Sequence, residues 1–187
     1  MRSNVLLHSC CAVCAGYPIE KLRENGFEPA VYFFNPNIYP ESEYHRRLGE
    51  LVRYCGKKDI ELIIEPEEHL NWLDYVKGLE NEPEKGARCL KCFEYRLLHA
   101  AKKSAELGIN KFASTLTVSP HKNSKMVFAA GKTAADNYKI EFLEMDFKKQ
   151  NGFLKTMKIA KEENFYRQTY CGCEFSFNKP KSCAVSG

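Results

Sequence analysis

Short apolar runs alternate with amphipathic helical patterns along most of the chain. Five such runs have the length of buried strands, at residues 4–8, 29–34, 60–65, 111–115 and 139–143. Apolar positions three or four residues apart predict helices at residues 17–25, 41–57, 69–77, 89–107, 123–136 and 153–163. This alternation predicts an α/β fold with a mostly parallel sheet and helices on both faces.

Chemically reactive residues follow the predicted strands. Cys10, Cys11 and Cys14 come directly after the first strand, residues 35–40 after the second and residues 117–121 after the fourth. In an open parallel sheet, ligand sites lie at the carboxyl ends of the strands. We therefore expect a metal site at that edge of a single domain, residues 1–187, in which residues 164–187 form a C-terminal extension.

Composition adds one anomaly, nine cysteines among 187 residues. This share, about 5%, is below the roughly 8–10% of a disulfide-built scaffold. Hydrophobic residues at 44% and charged residues at 28% exclude a disordered chain. Seven cysteines fall into three groups, which are Cys10, Cys11 and Cys14, then Cys89 and Cys92, then Cys171 and Cys173. Cys55 is expected to be a small core residue and Cys183 to be incidental.

The N-terminal segment and the charges bear on compartment and partner. The apolar stretch at residues 5–7 is shorter than the roughly 7–15 residues of a signal-peptide core. No apolar run approaches the roughly 20 residues of a membrane helix. We expect a cytoplasmic protein without membrane association, in which clustered thiols serve as metal ligands or redox groups. A basic excess in residues 101–187, with 15 Lys and Arg against 8 Asp and Glu, is compatible with nucleic acid or with an ordinary solvated surface.

Nucleotide binding has no support in the motifs. Gly131-Lys132-Thr133 looks like the end of a phosphate loop, but Met126 occupies the position of the required earlier glycine. The glycine-rich dinucleotide fingerprint is also missing from the sequence.

Cys11-x-x-Cys14 and Cys89-x-x-Cys92 together can make a four-thiolate site. Between them lie 74 residues, far more than the roughly 15–20 of a zinc ribbon. The start of a predicted helix and its basic neighbours are expected to favour thiolates at Cys89 and Cys92. With Cys10 there are five thiols for four positions, which suits an iron–sulfur cluster with an adjacent sulfur or second metal. A structural zinc is the alternative.

Cys171-Gly172-Cys173 has a different spacing. Two thiols separated by one glycine can close a small, strained disulfide that is easily reduced, as an electron relay requires. Two ligands of a metal site, or a pair of inert buried thiols, are the other interpretations.

The ordered set of motifs resembles the QueH-type epoxyqueuosine reductases across nearly the whole chain. These motifs are His8-Ser9-Cys10-Cys11-x-x-Cys14, Asn35-Pro36-Asn37-Ile38-Tyr39-Pro40, Glu43-Tyr44, Arg88-Cys89-x-x-Cys92, Ser119-Pro120-His121-Lys122 and Tyr166-Arg167-Gln168-x-Tyr170-Cys171-Gly172-Cys173. The resemblance implies a Rossmann-like sheet similar to the adenine-nucleotide α-hydrolase-like domains, without the nucleotide loop.

The same resemblance implies an oxidoreductase that converts epoxyqueuosine to queuosine at the wobble position of tRNA, the last step of queuosine biosynthesis, without cobalamin. It implies a [4Fe–4S] cluster, with ligands that map to Cys10, Cys11, Cys89 and Cys92. Cys171 and Cys173 map to a redox-active pair that forms a disulfide, and Cys14 to a ligand of a second iron or a further redox thiol.

Further roles follow from the implied substrate. An acid must protonate the departing oxygen, and His121, Tyr39 and Tyr44 are candidates by residue type. Aromatic and basic side chains are expected near the anticodon loop, namely Tyr39, Tyr44, Tyr166, Tyr170, Arg167 and Lys122. Lys148 and Lys149 are candidates for phosphate contacts. The partners are then a tRNA bearing epoxyqueuosine and an electron donor of unknown identity.

Two other functions fit the same residues. One is another iron–sulfur tRNA-modifying enzyme, such as a thiolase, which would normally need ATP. The other is a non-catalytic, zinc-stabilised RNA-binding module.

Overall fold

The strands form one parallel sheet, as predicted. The computed structural model describes residues 3–66 and 68–177. Within them the strands are β1 Ser3–His8, β2 Phe27–Phe33, β3 Leu62–Ile64, β4 Lys111–Ser114 and β5 Glu141–Phe142. Every pairing is parallel, in the order β3-β2-β1-β4-β5. The predicted α/β class is confirmed.

Helices connect the strands at the predicted places. They are α1 Ala12–Glu24, α2 Glu41–Lys57, α3 His69–Tyr75, α4 Ala87–Glu106, α5 Ser124–Tyr138, α6 Gly152–Glu162 and α7 Glu174–Phe177, with a short 3-10 helix at Thr115–Val118. Helix α1 begins five residues before its predicted start because the sulfur of Cys11 caps it, a role usually taken by Ser, Thr, Asp or Asn. Across the described part of the chain, no helix combines the length and the apolar character needed to cross a membrane.

The core lies on both faces of the sheet. Val5 and Leu7 of β1 point to one face, which α1, α2 and α6 cover, and Leu6 points to the other, which α4 and α5 cover. Cys55 packs in the first of these layers, as expected, and burial raises the pKa of its thiol to about 11. Gly131 lies within α5, where an added Cβ would come 2.5 Å from the ring of Phe142. This glycine therefore serves helix–sheet packing.

The strand order places a crevice beside β1. Successive strands run outward from β1 on one side, and after α4 the chain returns to pair β4 on the other side. In open α/β sheets such a reversal creates a cleft at the carboxyl ends of the strands. After α6, residues 163–177 return over α2 toward this cleft, where Gly172 accepts a hydrogen bond from the backbone of Tyr39 at 2.8 Å. Cys183 lies outside the described residues.

Candidate functional site

Three cysteines lie together at the carboxyl end of β1. The sulfurs of Cys10, Cys11 and Cys14 are all within 4.8 Å of one another, and we call this group the triad. Cys10 and Cys11 are buried and Cys14 is half-buried. Thiolates are the ligands that soft metal ions and iron–sulfur clusters prefer, so the triad can hold a metal.

Local hydrogen bonds hold the triad between β1 and α1. Ser9 donates its hydroxyl to the carbonyl of Cys11 at 3.1 Å, and the Asn35 amide donates to the carbonyl of Ser9 at 2.9 Å. The backbone N–H of Cys14 donates to the sulfur of Cys11 at 3.4 Å. The Cys-Cys-x-x-Cys spacing thus converges because the helix begins at the second cysteine.

The three thiols of the triad differ in how readily they lose a proton. Hydrogen bonds from Cys11 and Cys14 hold the pKa of Cys10 well below its usual value. As donors in those bonds, Cys11 has a pKa raised to about 12 and Cys14 has a pKa raised well above normal. Cys10 is therefore the thiol of the triad that is favoured as the thiolate.

His8 lies beneath the triad as a neutral ring. Its Nε2 donates to the carbonyl of Phe34 at 3.2 Å, and its Nδ1 accepts from the hydroxyl of Ser114 at 3.0 Å. Burial lowers the pKa of His8 to about 3, with help from the charge of Arg96. His8 therefore orients the end of β1 and adds no charge to the site.

Cys89 and Cys92 occupy the first turns of α4. Among the described residues neither sulfur belongs to the group within 4.8 Å. Cys92 is buried and packs with Trp72 and Cys173, whereas Cys89 is half-buried and accepts the backbone N–H of Lys85 at 3.2 Å. Burial raises the pKa of both thiols, so the expectation that the helix start favours thiolates there is wrong.

Cys171 and Cys173 are both free thiols, so the predicted disulfide is not closed in this structure. Cys171 is exposed, while Cys173 is buried. The sulfur of Cys171 lies 3.2 Å from the hydroxyl of Ser176 and accepts the backbone N–H of Cys173 at 3.4 Å. A hydrogen bond from the Cys173 thiol holds the pKa of Cys171 well below normal and raises the pKa of Cys173. The exposed member is thus the favoured thiolate.

The buried side chain of Arg47 anchors this segment to α2. Its Nε donates to Glu43 at 2.7 Å, and its two Nη atoms donate to the carbonyls of Cys171 at 3.2 Å and Tyr170 at 3.3 Å. Gly172 has φ +105, and a Cβ there would lie 3.0 Å from Arg47 Nη1. Glycine is therefore required between the two cysteines for steric as well as conformational reasons.

Three residues connect the cysteine groups. Gln168 donates its Nε2 to the sulfur of Cys11 at 3.2 Å. After the hydrogen bonds and burial already described, the charge of Lys122 further lowers the pKa of both Cys10 and Cys171. The charge of Arg96 acts in the same direction on Cys10 and Cys92. The triad, α4 and the Cys-Gly-Cys segment therefore surround one region at the cleft.

A cavity of about 360 Å³ opens beside the Cys-Gly-Cys segment. Its lining consists of Pro40, Ser42, Glu43, Tyr166, Thr169, Tyr170, Ser176 and Phe177. The hydroxyl of Tyr166 donates to Glu43 at 2.9 Å. Since Ser176 also contacts the sulfur of Cys171, the cavity adjoins that thiol. Phe177, which sequence reasoning missed, is 48% exposed and supplies an aromatic wall.

Other predicted residues are dispersed around this region. Tyr39 is 42% exposed and its ring stacks on His69 with centroids 5.5 Å apart. His121 is exposed in the loop before α5. The ring of Tyr44 instead packs edge-on against Phe33 at 5.2 Å, in the core layer.

The predicted basic residues lie on two loops that contact each other. Lys148 donates to the backbone carbonyl of Lys122 at 2.8 Å and lies 4.0 Å from the carboxylate of Asp146. Lys149 and Arg167 are exposed.

Sequence reasoning also missed Arg47 and Arg96. Each carried a signal, because Arg47 follows Glu43 by four residues on α2 and Arg96 follows Cys92 by four on α4. Residues four apart share a helix face, so this spacing indicates that Arg47 lies beside Glu43 and Arg96 beside Cys92.

Comparisons with known proteins agree on one family. The family model described as epoxyqueuosine reductase QueH matches residues 5–179. The epoxyqueuosine reductase QueH of Acinetobacter baylyi is 40% identical over 174 residues, which cover 92% of this chain and 80% of that protein. The Streptococcus pyogenes protein of the same name is 40% identical, covering 94% and 71%. That of Dehalococcoides mccartyi is 34% identical, covering 98% and 100%.

Proposed function

The chain belongs to the epoxyqueuosine reductase QueH family, and on that premise we propose that it reduces epoxyqueuosine to queuosine at the wobble position of a tRNA, the last step of queuosine biosynthesis. It is an oxidoreductase. The reaction removes the epoxide oxygen as water, consumes two electrons and two protons, and leaves a cyclopentene. We propose that it acts in the cytoplasm, where its tRNA substrate is found, as a single domain of residues 1–187 in which residues 164–187 are a C-terminal extension.

The observation that carries this proposal is the convergence of a buried triad and an exposed redox-type thiol at one cleft. Gln168 joins the segment of Cys171 to the sulfur of Cys11 at 3.2 Å. A structural zinc site needs no exposed low-pKa thiol beside it, whereas reductive chemistry does. This arrangement therefore favours a reductase over a zinc-stabilised binding module.

The donor set fits an iron–sulfur cofactor. The described sulfurs near the cleft are unbridged thiols, and thiolates are the ligands of [4Fe–4S] clusters. We assign the cluster ligands to Cys10, Cys11, Cys89 and Cys92, and Cys14 to a second iron or a further redox thiol. When bound, such a cofactor supplies one-electron transfer and Lewis acidity toward the epoxide oxygen.

The Cys171 and Cys173 pair matches the electron count of the reaction. Oxidation of the Cys171 thiolate and the Cys173 thiol to one disulfide releases the two electrons that epoxide removal consumes and one of its two protons, and the second proton comes from the acid that protonates the departing oxygen. Cys171 is the thiolate that an external donor can reach, because it is exposed while Cys173 is buried. An electron donor of unidentified chemistry then returns the disulfide to the dithiol by thiol exchange or direct reduction.

The cavity beside Cys171 is proposed to receive the modified base. Its aromatic walls, Tyr170 and Phe177, are suited to stacking on an unpaired base that has left the anticodon loop. Burial raises the pKa of Tyr170 to about 12, so its hydroxyl stays protonated, and it donates to the carbonyl of Tyr39, which fixes the ring as a stacking surface. Lys148, Lys149, Lys122 and Arg167 contact the phosphates around that base.

One of the predicted acids protonates the departing oxygen. We propose Tyr39, because it is exposed and directly precedes Pro40, which lines the cavity. His121 is the second candidate, from the loop that carries Lys122. Tyr44 is the least suited, since its ring packs against the core.

Nucleoside mass analysis tests the activity. The reconstituted protein is incubated without oxygen with dithionite and tRNA bearing epoxyqueuosine, and the digested nucleosides are then weighed. The expected product lacks one oxygen atom. Cys89→Ala should abolish turnover. Cys55→Ala, which changes a buried cysteine near the C-terminal end of α2, should not. An unchanged nucleoside with fully loaded wild-type protein overturns the proposal.

The cofactor is tested by colour and metal content. Anaerobically purified protein should be brown, with absorption near ~400 nm from sulfur-to-iron charge transfer. Colourless protein with tightly bound zinc would instead identify the binding module.

A further inference from the structure

Arg96 is a buried cation in the middle of α4, with 3% of its surface exposed. Its Nη2 donates to Asn35 Oδ1 at 2.5 Å, and its Nε has no acceptor among the described residues. Asn35 is neutral, and its own amide is directed to the carbonyl of Ser9. The hydrogen bond to Asn35 therefore does not compensate the positive charge of Arg96.

The other buried arginines differ. Arg47 forms an ion pair with Glu43 at 2.7 Å. Arg88, whose Nε also has no acceptor among the described residues, donates one Nη to three backbone carbonyls, at 3.1, 2.8 and 2.5 Å. In the described ranges, ion pairs are formed by Arg47 and by two surface arginines, so neither Arg88 nor Arg96 has a carboxylate partner there. Arg96 differs from Arg88 because its oxygen acceptor in those ranges is a single amide, and a buried cation without compensating groups costs several kcal/mol.

The position of Arg96 indicates which anion compensates its charge. Asn35, which accepts from Arg96 Nη2, donates its own amide to the carbonyl of Ser9, the residue before Cys10. Cys92 precedes Arg96 by four residues on α4, so the two side chains share a helix face. Arg96 therefore lies close to the backbone that carries the triad and on the face of α4 that carries Cys92, between elements that supply assigned cluster ligands.

We propose that Arg96 compensates the negative charge of the thiolate-ligated cluster and thereby raises its reduction potential. This inference rests on the proposed function, because it requires the iron–sulfur cofactor. A four-thiolate cluster is anionic and gains one more negative charge when it accepts an electron, so a fixed buried cation stabilises the reduced form more than the oxidised form. Arg96 acts through the ligands and is a positioning residue for electrons rather than a catalytic residue.

The test is the midpoint potential of the cluster in the full-length protein, titrated with dithionite and followed by electron paramagnetic resonance. In Arg96→Met the ratio of reduced to oxidised cluster at a given potential should fall at least tenfold, which is a shift of about 59 mV to lower potential for one electron. Arg96→Lys keeps the charge and should restore most of the wild-type value. The control Lys158→Met, at a lysine whose side chain is 78% exposed on α6, should leave the potential unchanged.

The possible outcomes distinguish an effect of the Arg96 charge from a role in packing alone. An unchanged potential in a fully loaded Arg96→Met protein overturns the inference, and so does an equal drop in Arg96→Lys, since a role in packing alone would predict it. If Arg96→Met folds by circular dichroism but does not hold iron, Arg96→Gln, which keeps donors without charge, is measured by the same two criteria. A wild-type protein without any cluster signal is a failure of the proposed cofactor, and it is distinguished from a failure of Arg96 by that absence.

Discussion

The triad and the Cys171-Gly172-Cys173 segment present similar thiol chemistry on different supports. In each, one sulfur has a depressed pKa because a neighbouring thiol donates to it, Cys10 in the triad and Cys171 in the segment. The triad is buried between β1 and α1. The segment lies on the extension after α6, and its Cys171 is exposed.

This difference separates holding a metal from exchanging electrons. A metal site needs ligands at fixed distances, which a strand end and a helix start provide. A dithiol that opens and closes needs access to a donor and a backbone that tolerates two sulfur geometries. Cysteines can therefore bind a metal and exchange electrons in one cleft. Their burial and the secondary structure that carries them decide which of the two they do.

The largest effect is expected from removing a triad sulfur. Cys10→Ala should lower bound iron below about a tenth of the wild-type content and abolish turnover, because the buried site loses its favoured thiolate. The cap of α1 stays intact, since Cys11 provides it. Metal analysis and nucleoside mass measurement check both results. Cys55→Ala should keep full iron, and full iron in Cys10→Ala would contradict the assignment of the triad.

A change at the exposed thiol should separate activity from metal content. Cys171→Ser should keep the iron of the wild type but reduce turnover by about a hundredfold, which is roughly 2.7 kcal/mol of barrier. Its oxygen cannot form the disulfide that releases two electrons. Parallel iron and single-turnover assays measure this. Loss of iron together with activity would show that Cys171 is a ligand and would remove the contrast between the two groups.

Gly172→Ala should loosen the extension without touching a sulfur. The new Cβ would meet Arg47 at a φ that only glycine adopts freely, at a cost of about 1–3 kcal/mol. We expect about tenfold lower turnover and faster proteolysis of the extension, with unchanged iron. Gly49→Ala on α2, where an added Cβ meets nothing within 4 Å, is the matched control and should leave both unchanged. Wild-type activity in Gly172→Ala would show that this docking is dispensable.

The smallest effect is expected at Gln168, which joins the Cys171-Gly172-Cys173 segment to the triad. Gln168→Leu removes the N–H donor to Cys11 and should lower turnover two- to fivefold, which corresponds to about 0.5–1 kcal/mol for one hydrogen bond. Gln168→Glu places a negative charge beside the triad and should lower it further. Steady-state rates at saturating tRNA measure the difference. Equal activity in all three proteins would mean that this hydrogen bond does not couple the regions.

Periodicity predicted the sheet and its helices because burial on a parallel sheet imposes a continuous apolar pattern. It missed the start of α1, since a cysteine is not among the usual capping residues. It also did not predict that burial raises the pKa of Cys89 and Cys92, because solvent exclusion depends on Trp72 and Cys173, which come from distant segments.

Within the candidate site, the sequence predicted the grouping of the triad but not the long-range contacts around it. Spacing grouped Cys10, Cys11 and Cys14, because a strand end and the next helix are local in sequence. The bond from Gln168 to Cys11 spans 157 positions, and nothing in the local pattern predicts it. Arg96 had a signal in its four-residue spacing from Cys92, but a basic residue on a helix is usually solvated, and its burial here depends on how α4 packs against β1 and Asn35.

The sulfur cap of α1 has a consequence for how the protein matures. The N–H of Cys14 has an acceptor in the sulfur of Cys11 at 3.4 Å, so this N–H at the start of α1 is satisfied without a metal. We therefore expect the start of α1 to form on the polypeptide itself, ahead of metal insertion into the triad.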